Sequence, residues 1–417
     1  MSEQETNVNV PESDAVETVE GALAVKKLTF WEAAMIIVGA NIGAGILGLA
    51  YSARKAGWPI LVLWLIVAGL GTTASMLYVA ETTLRTKKPL QLPGLAERYV
   101  GKLGSVLIFI SVCANSIGCM ISYTQGSGNI LAEMFGISRP IGSLLFTIPA
   151  VLVVWFGLKA TGLAEKFLST GMIVLLISIV ASSFLSGKAD LSRAIYTNWT
   201  YAVPVFNVSI FCYIAQYAVP ELARGLRHDA KKLPKAIMVG MLITGILLAL
   251  VPLAVLSLTG PDKVTEVATL AWGQALGTWA FYVANIFALC AMMSSYWAVG
   301  GSMLTNIVDM FKFKSETHKP TRFIALACTV LPPFILAYSG LVSFVDAIYL
   351  AGTFGGVIMS ILPALMVNGA RKKGDMEPNW KCGWYSAHWV QILIIVLFCG
   401  AALYAILDLV GVLPSGW

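Results

Sequence analysis

Eleven apolar runs, most at least as long as the roughly 20 residues a helix needs to cross a bilayer, leave this chain few folds to choose from. They lie near 30–52, 57–84, 104–134, 142–158, 165–186, 201–222, 234–258, 272–308, 321–339, 342–368 and 387–411. Several exceed the minimum, which leaves room for tilt. Hydrocarbon offers no partner to an open backbone, so a spanning segment of this kind is helical. Only 12% of the 417 residues are charged and 58% are hydrophobic. A soluble domain carries about 25% charge, so a water-soluble core of this size would lack its polar shell. The expected class is an all-α integral membrane protein.

The net charge of +6 comes from short basic clusters between the runs, with no basic, aromatic-interleaved face for nucleic acid. Residues 1–27 read as a disordered acidic tail, with Glu3, Glu5, Glu12, Asp14, Glu17 and Glu20 and no base before Lys26. A signal peptide would start basic and turn apolar. Alternate loops hold 22 of the 28 lysines and arginines, which puts those loops and the N-terminus in the cytoplasm and, after eleven spans, the C-terminus outside the plasma membrane. The seven cysteines show no CxxC spacing and read as small buried residues, neither bridges nor metal ligands.

The first run opens on Thr29-Phe-Trp-Glu32, the pattern of a capping box. It then carries GANIGAGILGLA, with Gly39, Gly43, Gly45 and Gly48 falling near mid-membrane. Two readings fit: close packing through the Gly39/Gly43 pair, or a helix that unwinds. A break exposes N–H groups at the start of the second half-helix and carbonyls at the end of the first, so that one unwound turn offers an anion site and a cation site. Unpaired backbone at that depth lines a cavity. Five runs later, PVFNVSIFCYIAQYAVPELARG is again interrupted, by Pro204, Pro220 and the polar side chains between them, although it has no glycine at the expected break. Two interrupted spans five apart predict a 5+5 inverted repeat plus one helix, with repeats at 28–200 and 201–369 and a cytoplasmic loop and last span at 370–417.

NIGAGILGLA followed by ARKAGW, ISYTQGSGNIL in the third run and PELARGLRHDAKKLPKAI after the sixth resemble the amino acid/auxin permease family, which includes aromatic amino acid permeases of prokaryotes. Ala50 departs from it, since many members have proline there. The resemblance implies the leucine-transporter fold and a secondary amino-acid transporter in which helices one, two, six and seven rock against three, four, eight and nine. It also implies that the N–H groups of Ala44 and Gly45, beyond Gly43, hold a substrate carboxylate, and that carbonyls of Asn41, Phe211 and Cys212 accept from its ammonium. Asn115, Cys119 and Tyr123 recur at spacing four on one face of the third run, either as ligand contacts or as interhelical hydrogen-bonding residues. Ile46, Cys119, Phe211 and Tyr213 suit a neutral side chain, with an aromatic one favoured by the resemblance.

The same fold places a sodium site on the carbonyls of Gly39, Ile42 and Ala291 and the hydroxyls of Ser294 and Ser295. The competing reading of a serine pair is a hydrogen bond back to its own helix. Some proteins of this fold use a mid-helix lysine in the fifth span instead. Here Lys166 lies at the cytoplasmic start, and Ser169, Thr170 and Met172 occupy the middle. His228, His318 and His388 fall in or beside cytoplasmic loops, so no histidine relay crosses the core. Asp346, one turn into the tenth run, is the proton-coupling candidate. Sodium is preferred to proton, and no cofactor beyond such an ion is expected. No HExxH, GxSxG or nucleotide-binding loop marks an enzyme, and no ring of charge or repeated filter marks a channel. The expected partners are an amino acid and membrane lipid, with no nucleic acid and no obligate protein partner.

Overall fold

The computed structural model describes residues 27–88, 90–156, 162–311, 313 and 319–412, without the side chains of 156, 162–170, 305 and 309. The acidic tail and the side chains of Lys166, Ser169 and Thr170 lie outside the described residues. Every regular element among those described is helical: α1 Phe30–Asn41, α2 Ala44–Ala53, α3 Trp58–Leu84, α4 Leu92–Tyr99, α5 Lys102–Phe135, α6 Arg139–Phe156, α7 Gly162–Leu185, α8 Ala202–Phe211, α9 Val219–Gly225, α10 Lys232–Thr259, α11 Ala268–Leu276, α12 Thr278–Met310, α13 Lys319–Ser339, α14 Phe344–Leu350, α15 Val357–Lys373 and α16 His388–Leu409. A π-helical stretch, Ala351–Gly356, joins α14 to α15.

Eight helices among the described residues are long and apolar enough to span a membrane, and the bent α1–α2 pair makes a ninth. Apolar stretches of α6 and α7, Arg139–Trp155 and Gly171–Leu185, fall below that length. Apolar on all sides, these helices bury one face in protein and turn another outwards. On α16, Phe398 packs into the space beside Gly71 and meets the Phe206 ring at 5.9 Å, while Ile392, Leu393, Val396 and Leu403 are exposed, as a lipid-facing surface requires. The outward face being apolar too, cysteine is not forced inside: Cys290, Cys328 and Cys399 are exposed and Cys113 and Cys382 half-buried. The expectation of seven buried cysteines holds only for Cys119 and Cys212, and all seven are free thiols.

Both halves of the Thr29 capping box are present. The Thr29 N–H donates to the Glu32 carboxylate at 2.8 Å, and the Glu32 N–H donates to the Thr29 hydroxyl at 3.3 Å. α1 stops at Asn41, Ile42 is extended (φ −88°, ψ 92°), and α2 leaves at 50° to α1. The sixth run is also divided: α8 ends at Phe211, residues 212–215 leave the helix, and the chain continues through a short 3-10 turn into α9. The start of the first broken span and the end of the second are joined. The Leu28 N–H donates to the Gly225 carbonyl at 2.9 Å, and the Leu28 side chain occupies the space a Cβ at Gly225 would need.

One run expected to be continuous, 272–308, is two helices. Gly277, at φ +116°, ends α11 and starts α12, a conformation other residues rarely adopt. The amphipathic α4, in a loop, was not expected at all; Pro93 in its first turn suits a helix start.

One buried ion-pair cluster ties the structure together at the end of α3. The fully buried Glu81 carboxylate takes two bonds from Arg371 of α15 (2.9 and 2.8 Å), one from Arg85 (3.0 Å) and one from the Cys382 N–H (2.8 Å). Arg85 reaches on to Glu377, and Asp375 pairs with Arg98 of α4. Breaking a buried pair leaves a charge without compensation, at a cost of about 3–5 kcal/mol. Glu81→Gln, which keeps the volume and removes the charge, should therefore lower the melting temperature of the purified protein, as read by tryptophan fluorescence. An unchanged melt would mean that the cluster does not hold α3 to α15.

Candidate functional site

The two breaks face each other across a small cavity. Its wall is Ala40, Asn41, Gly43, Ala44 and Gly45 from the first break, Asn115, Cys119 and Tyr123 from α5, Phe211, Ile214 and Tyr217 from the second, and Val299 from α12. Its volume is about 20 Å³, room for one water. The spacing of four on α5 puts Asn115, Cys119 and Tyr123 on one face of that helix, as expected, and that face is a wall of the cavity.

Each break presents the backbone groups that a helix end leaves over. Beyond Gly43 the N–H groups of Ala44 and Gly45 begin α2, the end at which a helix dipole favours negative charge. On the other side, the last carbonyls of α1 lack the partners an unbroken helix would supply. In the second break the turn is stitched by short-range bonds: Tyr213 N–H to Ile210 carbonyl (3.0 Å), Ile214 N–H to Phe211 carbonyl (3.3 Å) and Ala215 N–H to Tyr213 carbonyl (3.1 Å). The Phe211 carbonyl thus already accepts one hydrogen bond.

The glycines keep the two breaks close. A Cβ at Gly45 would sit 2.6 Å from Cys212 Sγ and 3.1 Å from a Phe211 ring carbon, and one at Gly43 would sit 3.3 Å from the Tyr123 hydroxyl. Cys212 therefore stands behind Gly45, and neither it nor Ile46 lines the cavity. Tyr213 points elsewhere. Its ring lies against Gly69 of α3, where a Cβ would be 3.1 Å away, and its hydroxyl would be 3.0 Å from a Cβ on Gly245 of α10. Ala40, Ile214, Tyr217 and Val299, not singled out in the sequence, take part instead.

The oxygens expected to hold sodium fall into two groups. Ser295 lies near the first break, 3.6 Å from where a Gly43 Cβ would be, on the side where the Tyr123 hydroxyl also approaches. The Ser294 hydroxyl donates to the Ala291 carbonyl at 3.0 Å, so two of the five oxygens are bonded to each other. Asp346 lies far from Gly43 in the chain, at the start of α14, where Ser343 caps the helix and donates to its carboxylate at 2.8 Å. Glu266, from the loop before α11, accepts the N–H groups of Phe344 and Val345 at the same helix end. Burial raises the pKa of Glu266 above the usual carboxylate value and the Asp346 charge adds to it, against a smaller opposing effect from those N–H groups and Arg139.

The contact between Gly45 and Cys212 can be tested without any ligand. Gly45→Ala should destabilise by about 1–3 kcal/mol through overpacking. Adding Cys212→Ala, which removes the sulfur the new methyl meets, should recover most of that loss in a thermal melt. Additive losses from the two changes would contradict the contact.

Comparison with known proteins fits this architecture. The tryptophan/tyrosine permease family matches residues 26–406. The chain is 27% identical to a tryptophan-specific transport protein of Haemophilus influenzae over 371 residues, covering 82% of this chain and 87% of that one. It is 25% identical to a tryptophan-specific transport protein of Pseudomonas aeruginosa, covering 81% and 86%. Among solved structures, MhsT in complex with L-phenylalanine superposes with a TM-score of 0.66 at 14% identity, covering 91% of this chain and 99% of that one. That likeness shows the leucine-transporter fold. With two interrupted spans meeting at one cavity and a family match over nearly all of its length, the chain belongs to the tryptophan/tyrosine permease family, a family of membrane transport proteins and not of enzymes.

Proposed function

We propose that this protein is a secondary active transporter of neutral, chiefly aromatic, amino acids, driven by a cation gradient through alternating access. The observation that carries the reading is the pairing of two helix breaks around a single cavity. A zwitterion needs donors for its carboxylate and acceptors for its ammonium, and a broken helix supplies both within one turn. The carboxylate sits on the N–H groups of Ala44 and Gly45, and the ammonium on carbonyls of Asn41 and of the Phe211–Cys212 turn. The relatives named for tryptophan transport favour an aromatic side chain, and the cavity wall holds no carboxylate for a cationic one.

The cavity is too small for any such substrate, so binding has to move its walls. A ligand shifts a conformational equilibrium only by its differential affinity for the two states. Drawing α2, α5 and the second break around one molecule is where that difference arises. Ala40, Gly43 and Val299 are partly exposed at the cavity, whereas Ala44, Ile46, Leu47, Leu49, Ala50 and Ala53 of α2 are buried. We take the full architecture to be eleven spans, a 5+5 inverted repeat with α16 as the extra helix.

Sodium is the proposed coupling ion, held by the carbonyls of Gly39, Ile42 and Ala291 and the hydroxyls of Ser294 and Ser295. Ser295 beside Gly43 brings α12 to the first break, which favours this placement. A proton-coupled reading is supported by the bond between Ser294 and Ala291, which leaves these groups satisfied without an ion, and by the neighbouring carboxylates Asp346 and Glu266.

Labelled tryptophan, tyrosine, leucine and alanine offered to proteoliposomes, with sodium and proton gradients imposed separately, separate these readings. Sodium-driven accumulation of tryptophan, reduced at least tenfold in Ser294→Ala and Ser295→Ala, is the expected result. Proton-driven uptake insensitive to both changes would keep the transporter and move coupling to Asp346 and Glu266. No uptake of any of the four would overturn the substrate class.

A further inference from the structure

We infer that Asn115 reads the substrate's side chain, accepting a hydrogen bond from a ring N–H or O–H, so that the site favours tryptophan and tyrosine over ring systems of the same shape without a donor. The inference rests on the transport reading above and assigns a selecting atom within it.

Asn115 lines the cavity and is 6% exposed, yet its Oδ1 is buried and receives no hydrogen bond within the protein. A second carboxamide on the same wall is in the same condition. Asn41, 4% exposed, places its Nδ2 3.4 Å from Met241 Sδ, and its Oδ1 has no partner. Buried acceptors left without a donor are costly, and nearly all are paired in folded proteins. This wall therefore lacks donors by two. An amino acid with an apolar side chain brings only its ammonium, whose N–H groups are assigned above to acceptors at the two breaks. Tryptophan and tyrosine bring a second donor group, at the far end of the side chain.

The neighbours cannot easily supply the missing donor. The Tyr123 hydroxyl stands two turns along α5, beside Gly43 and Ser295 at the first break. Ser111, one turn before Asn115, donates to the Gly355 carbonyl at 2.5 Å. Asn115 itself is held in place. A Cβ on Gly355, in the π-helical stretch, would fall 2.7 Å from Asn115 Cβ and 3.0 Å from its backbone N and Cα. The extra residue in that turn brings glycine backbone against α5, which fixes where the carboxamide begins. π-Helical turns of this kind are frequent at functional sites. A site built to bond a ligand N–H or O–H discriminates strongly against an analogue lacking it, because the protein group is then left unpaired.

The test compares tryptophan with 3-(3-benzothienyl)alanine, in which sulfur replaces the indole N–H with little change of shape. Full-length protein in proteoliposomes takes up labelled tryptophan while unlabelled tryptophan, tyrosine, phenylalanine and the sulfur analogue compete. The wild type should favour tryptophan over the analogue, and tyrosine over phenylalanine, by about tenfold or more. Asn115→Leu keeps the branching at Cγ and the fit against Gly355. It should reduce both ratios to near unity while the analogue still competes as in the wild type. The wild-type ratios need no variant, so they decide even if Asn115→Leu does not fold. Uptake of tryptophan with no preference over the analogue overturns this inference alone. Equal loss of both ligands in a folded Asn115→Leu protein assigns Asn115 to packing and also overturns it. Failure of the wild type to take up any of the four overturns the transport reading, and this inference with it.

Discussion

A backbone amide inside a bilayer has no water to fall back on, and the structure is organised around that constraint. Most of the chain answers it with uninterrupted helix. At two places it does not, and there the freed groups lie against protein: the first break against α5 and the second break, the second against α3 and α10. The breaks are tolerated because they share a lining. Each would be costly alone, and facing one another they form the polar surface in this apolar interior that suits a small zwitterion.

The contacts at the breaks also explain which features the sequence made legible. Continuous apolar runs are a local signal, so the spans could be read directly, and the Thr29 box and the first break were marked by their own residues. The second break was marked more weakly, by Pro204, Pro220 and the polar residues between them, with no glycine at the break. In its turn Tyr213 places its ring beside Gly69 and its hydroxyl near Gly245, on two other helices, and nothing near Tyr213 announces either glycine. Tyr213 was for that reason expected among the residues around the substrate. Ile214, Tyr217 and Val299 escaped notice because an apolar residue on an apolar helix has no signature of direction. Asn115, Cys119 and Tyr123 had one, since polar or small residues at intervals of four on a single face are conspicuous against lipid-facing neighbours.

Polar residues elsewhere serve assembly. Glu81 stands near the end of α3, and Arg371, at the end of α15, gives the cluster its reach across the fold. With Arg85, Glu377 and the Cys382 N–H, it binds α3, α15 and the loop before α16 into one unit. The cavity is arranged in the opposite way: its acceptors are left open and its walls are separate elements with no ion pair across them among the described residues. Rigidity and incompleteness are thus kept apart, at different depths of the same helices.

The bond between the Leu28 N–H and the Gly225 carbonyl, with the Leu28 side chain seated on that glycine, has a mechanical consequence. It fastens the start of α1 to the end of α9, one half-helix from each broken span. Two half-helices hinged at separate breaks would have two independent degrees of freedom and an intermediate with one displaced. Fastened at their ends they have one, so that a displacement of either half-helix must carry the other with it or break that contact.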